Sequence, residues 1–290
     1  MLPHFGPRAR GPEVRQHVRD VAVAADRLGF GVVWTSEHLI FPRHIESRYP
    51  YGPSFPYDVD DPILDVTATL SYVAAVTTKV RLGSSVMVLP YHHPIALAKA
   101  LATVDVLSGG RLLVGVASGW LREEFDLLGI PFRERGARTD EAIALMKALW
   151  TQRDVHFTGR FHSINGAAFA PKPTQRPHPP IWVGGGSPAA LRRVAQVADG
   201  WLAIPGDLDA LTASIETIRR EADAVGRDPA AIGVASSGGA RSLDELLDLV
   251  PRLERLGVTI VNLPSLFWAT SVPESLILME RFAERAGLGT

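Results

Sequence analysis

Seven short apolar runs, at 32–35, 80–89, 112–116, 181–183, 201–204, 232–235 and 259–263, constrain this chain more than any other feature. None alternates between apolar and polar residues, as a strand with one wet face would. Strands of this kind are buried on both faces, which is the habit of a parallel sheet. Helical patterns fill the gaps, at 13–28, 64–77, 95–107, 121–128, 138–150, 188–198, 208–225, 243–256 and 274–286. Several open on proline and close on glycine, as Pro12 and Gly29 bracket the first and Pro94 and Gly109 the third. A small hairpin is predicted at 156–164. Met1-Leu2-Pro3 reads as the tail of an eighth strand, so the first strand is expected to be truncated. Eight strand–helix units in one 290-residue chain predict a single TIM (β/α)8 barrel domain spanning 1–290. The alternative is a doubly wound open sheet, which would carry a G-x-G-x-x-G turn after its first strand. The first turn here, HFGPRARGP, does not match. The proline-rich PKPTQRPHPP at 171–180 reads as a rigid loop rather than a domain boundary.

Composition narrows the function classes. Lys and Arg number 30 against 31 Asp and Glu, so no charge excess points to nucleic acid or a membrane surface. The absence of cysteine removes disulfides, thiolate metal sites and a cysteine nucleophile. No apolar run approaches a membrane span and MLPHFGPRARG has no signal-peptide core, so a cytoplasmic protein acting on a small molecule is expected.

In a parallel barrel, the loops after the strands build the active site. The run at 32–35 leads into Glu37 and His38, an acid and a proton-handling imidazole at a strand end. A buried pair that merely caps the barrel is the plainer alternative. Gly83-Ser84-Ser85 inside the next strand signals a bulge or a close backbone approach. His92-His93-Pro94 reads as a loop feeding a helix, not as a metal site, because no H-x-x-x-H spacing occurs. His92 and Trp120 are candidates for a substrate pocket, although packing explains a tryptophan as well. Ala117, Ser118 and Gly119 are small enough to let a planar ligand lie against the backbone. Gly184-Gly185-Gly186-Ser187-Pro188 joins a strand to a helix. Its backbone N–H groups and the helix N-terminus suit a phosphate, with Ser187 as the N-cap. Asp199 is expected to orient backbone. The long aromatic loop at 40–61 reads as a lid, a substrate wall or an oligomer contact.

Taken together, GFGVVWTSEHLIFP, RLGSSVMVLPYHHP, LSGGRLLVGVASGW with EEFDLLG, and PPIWVGGGSP with VADGW resemble the bacterial-luciferase-like family of flavin and deazaflavin enzymes over nearly the whole chain. The likeness is greatest to the F420-dependent oxidoreductase branch. The resemblance implies a barrel with the cofactor ring in its mouth, backed by a non-prolyl cis peptide at Ser85-Val86. It places Glu37 and His38 at the reactive edge, with His38 as proton donor or electrostatic partner. Ala117, Ser118 and Gly119 would line the ring or its side chain, and Gly184, Gly185, Gly186 and Ser187 would hold the cofactor phosphate. F420 is the expected cofactor and FMN the alternative, in a two-component monooxygenase. A barrel that carries a flavin without turnover, or binds phosphate without redox chemistry, stays open. The anionic tail of F420 would favour Arg43, Arg48 and Lys172 at the mouth, and family likeness suggests a homodimer. Two departures stand out. Trp120 replaces a carboxylate of the sugar-phosphate dehydrogenase branch, so that substrate does not carry over, and Ala117 replaces a common glycine.

Overall fold

In the computed structural model the parallel strands run in the order β1 (Val32–Thr35), β2 (Arg81–Ser84), β4 (Leu112–Ala117), β7 (Ile181–Gly184), β8 (Gly200–Leu202), β9 (Gly233–Ser236) and β10 (Ile260–Val261). β3 (Met87–Val88) pairs with the upper part of β4. The structure describes residues 1–290 except Tyr51, Pro53, Ser54, Pro56, Pro205 and Thr290, so four residues of the 40–61 loop lie outside the described residues. The result is a TIM-like α/β barrel, with strand order following chain order. The long helices are α1 (Val14–Arg27), α2 (Val66–Val76), α3 (Pro94–Leu107), α5 (Arg135–Thr151), α6 (Pro188–Val197), α7 (Leu208–Ala224), α8 (Leu243–Leu256) and α10 (Val272–Ala286); α4 (Arg122–Leu127) and α9 (Ser265–Trp268) are short. An antiparallel pair, β5 (Asp154–Thr158) and β6 (Ser163–Ala168), stands off the barrel and is longer than the predicted hairpin.

The strand residues divide by parity. Val33, Leu112, Val114, Ile181, Val183, Trp201 and Val234 pack with the helices in the main core. Their neighbours Trp34, Leu113, Trp182, Leu202 and Ala235 form a second cluster with no helix residue in it, which fills the barrel interior. Apolar residues at both parities are what a strand buried on both faces requires.

The two interior tryptophans depend on glycines in neighbouring strands. Gly83 lies opposite Trp34, and a Cβ on it would stand 2.2 Å from the Trp34 ring. Gly200 and Gly233 flank Trp182, where a Cβ would come within 2.4 and 2.7 Å of that ring. The close approach foreseen at Gly83 is therefore a side-chain berth rather than a bulge.

The run at 80–89 is not one strand. It divides at the Ser85-Val86 peptide, which is cis, into β2 and β3, and then enters a 3-10 turn at Leu89–Tyr91. Ser84 holds the break in place: its hydroxyl donates to Gly115 O at 2.8 Å and accepts from Gly115 N–H at 2.9 Å. Beside β1, Leu2 N–H donates to Trp34 O at 2.8 Å, so the N-terminal residues follow the barrel wall as the tail of a strand would. Asp199 accepts from Ile181 N–H at 2.7 Å and thereby orients backbone, as expected. No helix among the described residues is long and apolar enough to cross a membrane.

Candidate active site

β1 carries the chain to the barrel mouth and delivers Ser36, Glu37 and His38 there. Ser36 is fixed from below by His4, a fully buried imidazole whose Nε2 accepts from Ser36 N–H at 2.7 Å. Its Nδ1 lies 2.8 Å from Leu2 O, so that nitrogen carries the proton and the ring is neutral. Burial lowers the His4 pKa to about 4, and no feature of the sequence marked this residue.

His38 is held by a carboxylate 86 positions away in sequence. Its Nδ1 donates to Glu124 Oε2 at 2.7 Å. Glu124 sits on α4 with its side chain wholly buried, and its oxygens accept three more bonds. These come from the Tyr91 hydroxyl at 2.9 Å, Leu39 N–H at 2.7 Å and Ile40 N–H at 3.2 Å. Four donors around one buried carboxylate satisfy its lone pairs and fix its position. Burial, together with Glu124, raises the Tyr91 phenol, so it remains a neutral donor. His38 Nε2 is left for other work. The signal for Glu124 was present in EEFDLLG, but nothing local ties that motif to His38.

Glu37 has a different environment. One oxygen accepts from Val88 N–H at 2.7 Å and the other lies 2.9 Å from His92 Nε2. Its side chain is 2% exposed. Glu37 thus ties the end of β1 to β3 and to the loop before α3. The expectation that His92 lines the substrate pocket fails. The 3-10 turn at Leu89–Tyr91 carries the chain out of the sheet first, and His92 lines a separate cavity of about 250 Å³.

All the other predicted site residues line one cavity of about 1600 Å³, whose lining runs from the mouth past Trp34 to Phe30 and Arg81. Val86 and Gly184 face each other across it so closely that a Cβ on Gly184 would stand 2.8 Å from Val86 Cγ1. Gly119 has φ +82°, and a Cβ there would meet Phe125 and Val88 at 2.7 Å. Ser118 Oγ is buried with no hydrogen-bond partner among the described residues. Gly185 O accepts from Trp201 Nε1 at 2.8 Å, and Ser187 Oγ caps α6 by accepting from Ala190 N–H at 3.2 Å, as expected of an N-cap.

The basic residues expected at the mouth are elsewhere. Arg43 is exposed and paired with Asp60, Lys172 donates to Leu149 O and Gln152 O, and Arg48 is not in the cavity wall. In their place stand Arg133 and Arg135, brought to the cavity by the 3-10 turn Phe132–Glu134 between α4 and α5. Arg135 lies 3.9 Å over the Phe132 ring and Arg122 4.3 Å from it. No carboxylate pairs with Arg122, Arg133 or Arg135 among the described residues, whereas Arg193, also in the wall, binds Asp140 at 2.5 Å. Burial and the neighbouring Arg122 lower the Arg135 pKa.

Residues 1–245 match the family described as luciferase-like monooxygenase. The chain belongs to that family. Over 246 residues it is 35% identical to an uncharacterized protein of Mycobacterium tuberculosis, covering 83% of this chain and 82% of that one. This chain also spans about half the length of two relatives with functional names. It is 36% identical over 192 residues to the FMNH2-dependent dimethylsulfone monooxygenase of Pseudomonas putida, covering 65% of this chain and 52% of that one. It is 31% identical over 191 residues to the F420-dependent glucose-6-phosphate dehydrogenase of Kineococcus radiotolerans, covering 64% of this chain and 52% of that one. Among solved structures, the monooxygenase RslO1 from Streptomyces bottropensis superposes with TM-score 0.77 at 25% identity, covering 98% of this chain and 96% of that one. The luciferase-like family thus includes both F420-dependent oxidoreductases and FMN-dependent monooxygenases.

Proposed function

We propose that this protein is an F420-dependent oxidoreductase that moves a hydride equivalent between the deazaflavin and a small organic substrate. One observation carries the reading: a single cavity joins the His38–Glu124 pair to a glycine loop and to Arg133 and Arg135, which no carboxylate pairs with among the described residues. The lining suits such a cofactor. Ser118 Oγ is a buried hydroxyl in need of a partner, Val86 against Gly184 makes a flat apolar wall, and the 184–187 loop ends on the capped N-terminus of α6. That terminus and the loop N–H groups would hold a phosphate. Arg133 and Arg135 would meet the anionic extension that distinguishes F420 from FMN.

When bound, the deazaflavin supplies two-electron hydride transfer, and the protein supplies position and the proton. With Nδ1 committed to Glu124, His38 presents Nε2 to the cavity, where it gives or takes the proton that accompanies the hydride. Glu124 keeps the ring oriented. Glu37 has both oxygens engaged with Val88 and His92, so its part is to position the segment that bears His38. The 36% identity to the Pseudomonas putida monooxygenase supports a second reading, a two-component enzyme using reduced FMN.

Titrating the protein with F420 and with FMN, followed by absorbance, separates the two. Tighter F420 binding that weakens with added salt, and weakens further in Arg135→Ala, is the expected result. Tighter FMN binding with no effect of Arg135→Ala moves the assignment to the monooxygenase. Binding of neither overturns both.

A further inference from the structure

We infer that the substrate side of the mouth is built for a neutral, predominantly apolar molecule that offers one hydrogen-bonding atom to His38. The inference rests on the reading of His38 as the reacting end of the cavity. Phe41, Tyr49, Phe55 and Trp120 line the cavity around that residue. The His38 ring lies 4.7 Å from Phe41, 6.0 Å from Phe55 and 6.1 Å from Trp120. Phe55 in turn meets Phe41 at 5.4 Å, Tyr49 at 5.6 Å and Trp120 at 5.8 Å, so the rings form a continuous wall. Tilted and edge-on contacts at such distances hold aromatic rings in place while leaving apolar surface to a ligand.

Of the charges beside this wall, Glu123 accepts from Glu46 N–H and Ser47 N–H through Oε1 at 2.8 Å, and the Arg122 guanidinium lies 4.3 Å from the Phe132 ring. Arg43 is paired with Asp60, and Asp61 is paired with Arg10 at 2.6 Å. Arg133, Arg135 and Arg193 belong to the helical segments beside the glycine loop, and Arg81 begins β2, at the end of that strand away from the mouth. Trp120 stands immediately after the small residues Ser118 and Gly119, and its ring meets Tyr49 at 5.3 Å and Phe55 at 5.8 Å. An anion seated among these rings would lose its hydration with no partner to replace it, and a cation would be offset only in part by the ring faces. An apolar molecule gains by the transfer, and its one polar atom has His38 Nε2 to bind.

The test uses the protein loaded with F420, or with FMN if that binds better. Its ligands are a series of 2-alkanones from 2-butanone to 2-octanone, then hexylammonium and glucose 6-phosphate, with binding followed by calorimetry. The dissociation constant should fall about fourfold for each added methylene, the increment expected for burying such a group. Glucose 6-phosphate and hexylammonium should bind at least tenfold more weakly than 2-hexanone. Trp120→Ala and, independently, Phe41→Ala should flatten the chain-length series while leaving the folded spectrum intact. A flat series in the unmodified protein, or tighter binding of either charged probe, overturns the inference. If neither cofactor loads, the functional reading above falls by itself, and the alkanone series run on the protein alone still decides the nature of the wall.

Discussion

The floor and the mouth of this barrel are built from the same strands and obey opposite rules. On the floor, Trp34, Leu113, Trp182, Leu202 and Ala235 interdigitate, and glycines at 83, 200 and 233 are cut away to admit the two indoles. Only small residues are tolerated beside large ones, and the Trp34 indole N–H donates to Asn262 Oδ1 at 3.1 Å. A few residues further along the strands, the mouth buries two carboxylates, Glu37 and Glu124, and satisfies each with several donors. It also leaves Ser118 Oγ without a partner among the described residues. The floor is shaped to fill space, whereas the mouth spends stability to hold groups ready for a ligand. Substitutions should therefore separate the two regions, stability from below and chemistry from above.

The largest effect on stability is expected from Trp182→Ala. Removing a buried indole that three strands enclose should cost about 3–5 kcal/mol in denaturant unfolding. Turnover per folded molecule should stay close to normal. A large loss of turnover in the folded fraction would erase the division between floor and mouth. The reverse pattern is expected of His38→Ala, with turnover falling roughly 10²–10⁴-fold, cofactor affinity within a few-fold of the starting value, and little change in the unfolding midpoint.

Glu124→Gln sharpens the contrast, because it keeps the shape and removes the charge that orients His38. Turnover should fall by roughly tenfold to a hundredfold as the ring loses its fixed orientation, with cofactor affinity little changed. Unchanged turnover would mean that Glu124 serves packing alone.

His4 gives the comparison a pH dependence. Its pKa is about 4 in the fold against an ordinary 6.5, so the unfolded chain binds the extra proton first as pH falls. The contribution is intact above about pH 6.5 and is lost as pH drops toward 4, up to about 3 kcal/mol over that window. Unfolding free energy measured across this range should show the slope, and His4→Asn should lessen it. The smallest effect belongs to Ser187→Ala. Loss of the N-cap should cost about 1 kcal/mol of stability, and cofactor affinity should weaken with it if the 184–187 loop holds a phosphate.

How much of this was legible beforehand differs by region. Uniformly apolar strands between capped helices reveal a parallel α/β barrel, because a residue's burial is written in its own polarity and its neighbours'. Glu37, His38 and the glycine loop were legible because they sit immediately after strands, where this architecture places its active site. Glu124 was not, since its pairing with His38 depends on how α4 packs beneath the loop after β1. Arg133 and Arg135 escaped notice for the same reason, while Arg43 and Lys172, plausible by composition, turned to nearer partners. His92 was misplaced because a 3-10 turn of three residues redirects the chain just before it.

The sequence by itself determined the fold class, the helix caps such as Ser187, the backbone role of Asp199 and which strand ends meet at one cavity. All of these rest on interactions between residues close in the chain or on the polarity of single residues. The tertiary structure alone decided that Glu124 orients His38, that Gly83 yields its volume to Trp34, and that arginines from the α4–α5 connection line the same cavity as the glycine loop. Those depend on side chains meeting across long stretches of sequence. Such meetings are fixed by packing and desolvation in three dimensions, and no local pattern encodes them.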